Sequence, residues 1–251
     1  MMRFLTPIIF PVVGILSFAV FGPIATICAR ISGSGTIAHK IAQIWSGLVL
    51  SVSGIRIEAK GQENVPTDRP VIFACNHASQ VDILVLYQAL PVEFRFVVKQ
   101  ELFKIPVLGF SMRAAGYIPI DRSGGKRAVK SLIEAARRIR EGASIVIFPE
   151  GTRSRDGRLQ EFKTGAFMLA LKSGCPIVPV AIKGTHEILP KGSLKAQPGQ
   201  VEVLIGRPIE IDSGGKRLTR EEAARLTHDQ VEAMLAGRQP GSLSAGSPEA
   251  G

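Results

Sequence analysis

Val71-Ile72-Phe73-Ala74-Cys75-Asn76-His77-Ala78-Ser79-Gln80-Val81-Asp82 is the stretch that decides the fold. It starts as an apolar run of strand length, breaks at Asn76, and resumes at Ile83-Leu84-Val85-Leu86-Tyr87 as the opening of a helix. A strand feeding a helix through a short polar turn is the repeating unit of an open α/β sheet, and such sheets bind ligands where strands give way to helices. His77 and Asp82 stand on this turn. Histidine is the side chain that titrates near neutral pH, and a carboxylate within reach would fix its tautomer and stabilise its charged form. The same letters also spell a capping box, with Ser79 at the N-cap and Asp82 at N3, which requires no chemistry.

A second polar turn shifts the balance toward chemistry. Ser144-Ile145-Val146-Ile147-Phe148 reads as a buried strand and runs into Pro149-Glu150-Gly151-Thr152-Arg153-Ser154-Arg155. Pro149 stops the ladder and Gly151 permits a tight turn. The loop offers a carboxylate, a hydroxyl and two guanidiniums beside exposed backbone N–H groups, a good clamp for a phosphate dianion. It is not a Walker A loop, because GxxxxGK[ST] is absent. If the two strands run parallel, both turns emerge at one end of the sheet, the first with a candidate base and the second with an anion site. A polar surface loop is the plainer alternative.

Outward from these turns, strands are expected at about 71–75, 94–98, 117–120, 144–148, 177–182 and 201–205, alternating for most of that length with helical patterns. The clearest helix covers about 125–141. Val129, Leu132, Ile133, Ala136 and Ile139 share one face of it, and Lys126, Arg127, Lys130, Arg137, Arg138 and Arg140 dominate the other. Thr219-x-x-Glu222 opens a last helix to about Ala236. The expected class is α/β, a single mixed, largely parallel sheet flanked by helices, with an N-terminal hydrophobic two-helix membrane element.

That element rests on the interval between Arg3 and Arg30, residues 4–29, which contains no charge and is long enough to cross a bilayer. Pro7, Pro11, Gly14, Gly22 and Pro23 leave open a shallow, re-entrant helix. A signal peptide fits less well, since the stretch is long for one and no persuasive small-x-small cleavage site follows. Ile37, Ile41, Ile44, Leu48 and Val52 then mark one face of a second, interfacial helix, with an ordinary core helix as the alternative. More basic residues follow the first segment than precede it, which puts the remainder on the cytoplasmic side. The expected divisions are 1–54, a membrane-associated helical segment; 55–236, the α/β domain; and 237–251, a Gly/Ser/Pro-rich disordered tail.

Composition bounds the function. The 251 residues carry a formal net charge of +10, which favours anionic surfaces of any kind, and the apolar N-terminus selects lipid over nucleic acid. Cys28, Cys75 and Cys175 form no CxxC pair and read as reduced, mostly buried thiols. His39, His77, His186 and His228 are scattered, and no metal site is expected.

Four blocks in order carry a resemblance. Asn76 to Asp82 matches the HX4D motif of glycerolipid acyltransferases, and Phe148-Pro149-Glu150-Gly151-Thr152-Arg153-Ser154 matches their FPEGTRS motif. Gly116 to Arg122 looks like the intervening block that ends in arginine, and Ile177-Val178-Pro179-Val180 looks like the fourth. Lys99-Gln100-Glu101-Leu102 is similar to a further segment of bacterial members. The chain most resembles the bacterial 1-acyl-glycerol-3-phosphate (lysophosphatidate) acyltransferases, departing at Tyr117 and Pro119, where Phe-Ile is commoner.

The resemblance implies transfer of a fatty acyl group from acyl-CoA or acyl-carrier protein to the sn-2 hydroxyl of lysophosphatidic acid, giving phosphatidic acid. It implies no cofactor beyond that acyl donor. His77 would be the general base and Asp82 its orienting carboxylate. Glu150, Gly151, Thr152 and Arg153 would hold the glycerol phosphate, with Lys99 and Arg122 as further phosphate contacts. The oxyanion donors are not evident, and backbone amides near the His77 turn are the first candidates. The implied partners are the lysophospholipid and the bilayer, with acyl-carrier protein as an alternative donor and no nucleic acid. The implied location is the bacterial inner membrane, catalytic domain toward the cytoplasm. Alternatives are another acceptor, such as a lyso-ornithine lipid, or a membrane-associated hydrolase. For the latter, Gly109-Phe110-Ser111-Met112-Arg113 lacks the closing glycine of a nucleophile elbow.

Overall fold

An apolar stretch without charges satisfies its own backbone as a helix, and the chain opens with two. The computed structural model describes residues 2–121, 125–213 and 215–238. Arg122 and the tail from 239 onward lie outside them. Helix α1 (Met2–Ser32) and helix α2 (Gly35–Val52) form an antiparallel hairpin, and Ser34 Oγ caps α2 by accepting from the Thr36 N–H at 3.1 Å. Phe10–Ser32 is long and apolar enough to cross a membrane, and only 17% of its apolar 18-residue window is buried.

The strands and helices then alternate, in the order β1 (Ile55–Lys60), β2 (Ile72–Cys75), α3 (Val81–Ala89), β3 (Phe94–Lys99), α4 (Leu108–Ala114), β4 (Ile118–Ile120), α5 (Gly125–Arg140) and β5 (Ser144–Ile147). Helix α6 (Thr164–Ser173), β6 (Ile177–Lys183), α7 (Thr185–Ile188) and β7 (Gly199–Ile205) follow. A short ribbon of β8 (Asp212–Ser213) with β9 (Lys216–Arg217) leads into α8 (Arg220–Leu235). The ribbon is an addition to the single sheet expected. Thr219 and Glu222 form the capping box at the start of α8.

Seven strands make one sheet in the order β1-β7-β6-β2-β5-β3-β4. Every pair is parallel except β6 with β7. In β2 and β5 every residue is buried, because both faces are covered. Phe73 and Cys75 face a core shared with Val49 and Leu50 of α2 and Val85 and Leu86 of α3. Ile72 and Ala74 face the other core, with Ile139 of α5, Phe167 of α6 and Val231 of α8. The helix that follows β2 therefore lies on one face, and the helix that follows β5 lies on the other. The carboxyl ends of these two paired strands lie side by side, at the usual ligand position in such sheets.

Two amphipathic faces meet surroundings that spacing alone does not specify. On α5, Val129 and Ile133 are about half exposed while Ala136 and Ile139 are buried, so only part of the apolar face packs on the sheet. On α2, Ile37, Ile44, Leu48 and Val52 of the stripe are exposed, while Ile41 packs partly buried against Ala25, Ala29 and Ala115. That helix packs inward through Ala38, His39, Ser46, Val49 and Leu50 instead, which excludes the core-helix alternative for the stripe.

Candidate active site

The parallel register, with Ile72 opposite Ile145 and Ala74 opposite Ile147, brings the two polar turns out side by side. Asn76 ends β2 by extending its ladder with a side chain. Its Nδ2 donates to Ile182 O at 2.9 Å and its Oδ1 accepts from the Ile182 N–H at 2.7 Å, which ties the turn to β6.

His77 follows. Its Nδ1 lies 2.8 Å from Asp82 Oδ2, and the aspartate is fully buried while the imidazole is 16% exposed. An ionised carboxylate has only lone pairs to offer, so the paired Nδ1 carries the proton and Nε2 is left as the acceptor nitrogen. Phe148 stacks on the imidazole at 3.9 Å between centroids and 18° between planes, which restrains its rotation.

Asp82 Oδ2 also accepts from the backbone N–H groups of Ala78 and Ser79, each at 2.9 Å. The pairing with His77 is therefore present, and of the expected capping box only the carboxylate half forms, Asp82 reaching back to the Ser79 N–H. The cap sits one residue later than expected: α3 starts at Val81, whose N–H donates to Ser79 Oγ at 3.1 Å, while Ser79 Oγ donates to Leu189 O. The His77 N–H donates to Glu150 Oε1 at 2.8 Å. All three amides of the turn are thus engaged, so they are not the free oxyanion donors that the sequence suggests.

The second turn clasps the first. Glu150 takes the His77 amide with one oxygen and accepts from Gln160 Nε2 at 3.0 Å with the other, while the Ser154 N–H donates to His77 O at 2.8 Å. His77 is held on both sides of its backbone by the loop that carries Arg153. Glu150 is 2% exposed, and burial, with the Asp82 charge adding to it, pushes its carboxyl up to about 7. Gly151 has φ +76 and a Cβ there would lie 3.0 Å from Lys163 Nζ, so the turn requires glycine.

Thr152 is exposed and Arg153 half-buried, and neither Arg153 nor Arg155 pairs with a carboxylate among the described residues. Lys191 Nζ holds this segment, donating to Thr152 Oγ1 at 3.0 Å and to Arg153 O at 2.7 Å. Lys99 stands at the carboxyl end of β3 on the same edge of the sheet, paired with Glu101 at 3.8 Å. Arg122, beyond β4, is outside the described residues.

Sequence reasoning missed Lys191 and Gln160. Neither stands in a recognisable motif, and Lys191 lies 38 residues from its partner Arg153. The serine of the incomplete nucleophile elbow fails on position. Ser111 lies on α4, 3.5 Å from Thr26 Oγ1 of α1 and away from His77. Cys75 is fully buried, and burial pushes its thiol well up. Among the described residues no group of three His, Cys, Asp or Glu side chains converges as metal ligands would.

The arrangement offers a base with a fixed tautomer beside a cationic loop, which suits removal of a proton from a hydroxyl on a phosphate-bearing molecule. Comparison with known proteins points the same way. The sequence profile of the Acyltransferase family matches residues 56–183. A chloroplast 1-acyl-sn-glycerol-3-phosphate acyltransferase of Brassica napus is 39% identical over 68% of this chain and 50% of its own. A protein of the same name from Borreliella burgdorferi is 35% identical over 74% of each. The chain spans about half the length of the chloroplast relatives it matches. The crystal structure of the 1-acyl-sn-glycerophosphate acyltransferase of Thermotoga maritima superposes with a TM-score of 0.79 at 26% identity, covering 94% of this chain and 95% of that one.

Proposed function

Because this chain belongs to the Acyltransferase family, we propose that it transfers a fatty acyl group from an acyl-CoA or acyl-carrier-protein thioester to the sn-2 hydroxyl of lysophosphatidic acid, giving phosphatidic acid. The observation that carries the proposal is the His77–Asp82 pair at 2.8 Å, with the His77 backbone clasped by the loop of Glu150, Arg153 and Ser154. That clasp ties the proposed base to the loop that carries the proposed phosphate contact.

In the proposed reaction His77 Nε2 takes the proton of the acceptor hydroxyl as its oxygen attacks the thioester carbonyl. Asp82 stabilises the imidazolium that forms and keeps the ring in place. The C–S bond then breaks, and the thiolate leaves with the proton from Nε2. The acceptor's hydroxyl stands where a serine protease has its serine, so no acyl-enzyme is needed. Arg153 is the principal charge partner of the acceptor phosphate, with Gly151 and Thr152 beside it and Glu150 behind them; Lys99 and, on the motif resemblance alone, Arg122 are further candidates for phosphate contact. The exposed apolar surface of α1 and α2 would rest on the bilayer that supplies the acceptor, on the cytoplasmic side of a bacterial inner membrane.

The test is thiol release by detergent-purified protein with acyl-CoA or acylated carrier protein, with lysophosphatidic acid run beside uncharged and zwitterionic lyso-lipids. Product is expected with lysophosphatidic acid, and His77→Ala is expected to lower the rate by about 10²–10⁴-fold. Turnover only with another lyso-lipid would keep the mechanism and overturn the acceptor. No thiol release with either donor would overturn the reaction.

A further inference from the structure

Opposite the active site, at the amino ends of β3, β4 and β5, a cavity of about 790 Å³ is lined by Arg30, Arg95, Arg113, Arg137, Arg138 and Glu141. Glu93 binds Arg95, Glu134 binds Arg137 and Arg138, and Glu141 binds Arg137. These pairs fix three guanidiniums in place. Arg30 and Arg113 have no carboxylate partner among the described residues, so five arginines meet three carboxylates and two positive charges remain. The amino terminus of α2 adds its partial positive charge at the rim, with no acidic residue in its first turn.

The site is built rather than incidental. The Arg95 side chain passes between Gly35 and Gly116: a Cβ at Gly35 would lie 3.0 Å from Arg95 Nη2, and one at Gly116 would lie 2.9 Å from Nε. Two missing side chains leave the slot through which a mostly buried arginine reaches the cavity. The border is apolar. Ile27 and Ile31 of α1 and Phe110 of α4 are 57%, 83% and 53% exposed, and the Arg113 guanidinium lies 5.2 Å over the Phe110 ring. A cation whose stem covers apolar surface while its head reaches a polar pocket is the usual arrangement at a lipid interface.

We propose that this cavity binds the phosphate of an anionic phospholipid head group, whose acyl chains lie along the exposed side chains of α1 and α4. A soluble phosphate would use the guanidiniums but leave the apolar border without a role; a lipid uses both. The proposal rests on the membrane-surface reading above and assigns a second lipid, separate from the acceptor.

The test is flotation of the full-length protein with phosphatidylcholine vesicles, with and without a minority of phosphatidylglycerol. Wild-type protein is expected to bind neutral vesicles and to bind the anionic ones more tightly. Arg30→Gln/Arg113→Gln should keep the neutral binding and lose about tenfold of the anionic gain. Lys40→Gln/Lys104→Gln, which removes two exposed cations that do not line the cavity, should keep most of that gain. Equal loss in both pairs, or loss in neither, would overturn the site in favour of diffuse attraction or none. Abolition of the gain by millimolar inorganic phosphate would assign the cavity to a soluble anion and also overturn it. Failure to bind either vesicle would remove the membrane reading itself, an outcome distinct from neutral binding without an anionic gain. Circular dichroism confirms that the variants are folded.

Discussion

Asp82 Oδ2 accepts from the His77 ring and from two backbone amides, so substitutions at this position separate structure from charge. Asparagine can keep an acceptor for the amides but has no charge to stabilise imidazolium. Under the proposed reaction, Asp82→Asn is expected to lower kcat by about 10²–10⁴-fold with little change in the KM of the acceptor. Asp82→Ala leaves two amides and an imidazole without an acceptor and should cost a further 1–3 kcal/mol or so of stability, read by urea denaturation. Glu150 poses the opposite problem. Its carboxyl is pushed up to about 7, so the folded state holds a proton that the unfolded chain releases near its ordinary value of 4.5. Between these values the native state binds more protons than the unfolded state, and this group's contribution to stability falls as pH rises. Below about pH 4.5 the contribution is fully present, and above about 7 it is lost. Glu150→Gln can still accept the His77 N–H and carries no charge. Stability measured against pH should therefore be flatter across that window in the variant, with a relative gain on the order of 2 kcal/mol at pH 8. An unchanged slope would show that the Glu150 carboxyl is not the group responsible.

The loop of residues 149–155 is an element without regular structure, held by its contacts to other parts of the chain. Gln160 braces Glu150, and Lys191 ties Thr152 and the Arg153 carbonyl. Under the proposed function, Lys191→Met should free the Arg153 segment while leaving His77 and Asp82 intact. We expect the KM of the phosphate-bearing acceptor to rise about tenfold with kcat changed by much less; a fall in kcat alone would mean that Lys191 acts elsewhere. The strand-turn halves of the site were legible in the sequence because β2 and β5 are continuous apolar runs that end at polar residues, and parallel pairing makes their ends neighbours. The capping box of α8 was legible for a similarly local reason: Thr219 and Glu222 meet within one helical turn. Lys191 was not, because its partners are far away in sequence and a lone lysine after Leu189-Pro190 looks like any loop lysine. The outward face of α5 was half legible. Periodicity states which residues share a side, but Val129 and Ile133 project past the edge of what the sheet can cover.

At the scale of the whole molecule, the antiparallel turn from β6 to β7 decides where the N-terminal hairpin lies. Because β1 runs with β7, and β7 runs against β6 and hence against β2, the start of β1 at Ile55 is at the same edge as the carboxyl end of β2. Helix α2 ends at Val52, just before that edge, and begins at Gly35 beside Arg95 and Ala115 at the opposite one. The hairpin thus crosses the sheet from the arginine-lined cavity to the active-site edge, and its outer surface is apolar along the way: Ile15, Leu16, Val20, Ile24, Ile27 and Ile31 of α1 are all 45% exposed or more. Water is a poor neighbour for such a surface, and its extent exceeds the scattered apolar residues of an ordinary exterior. Inward contacts come from other side chains. Trp45 Nε1 donates to Ser17 Oγ at 2.9 Å, and Phe18 meets the Trp45 ring edge-on at 5.5 Å between centroids. Folding and lipid contact should therefore separate by mutation. Ile15→Ser/Ile27→Ser/Ile31→Ser removes apolar area that is mostly exposed in the fold, so unfolding in detergent-free buffer should shift by no more than about 0.5 kcal/mol per site. If this surface meets the bilayer as proposed, each side chain withdrawn from lipid forfeits on the order of 1 kcal/mol of partitioning, and neutral-vesicle binding should weaken by more than tenfold. Trp45→Ala should do the reverse, loosening the hairpin and lowering stability more than it lowers lipid affinity. Unchanged vesicle binding in the triple serine variant would mean that another surface meets the membrane, whereas a stability loss comparable to that of Trp45→Ala would mean that these isoleucines belong to a packed interface.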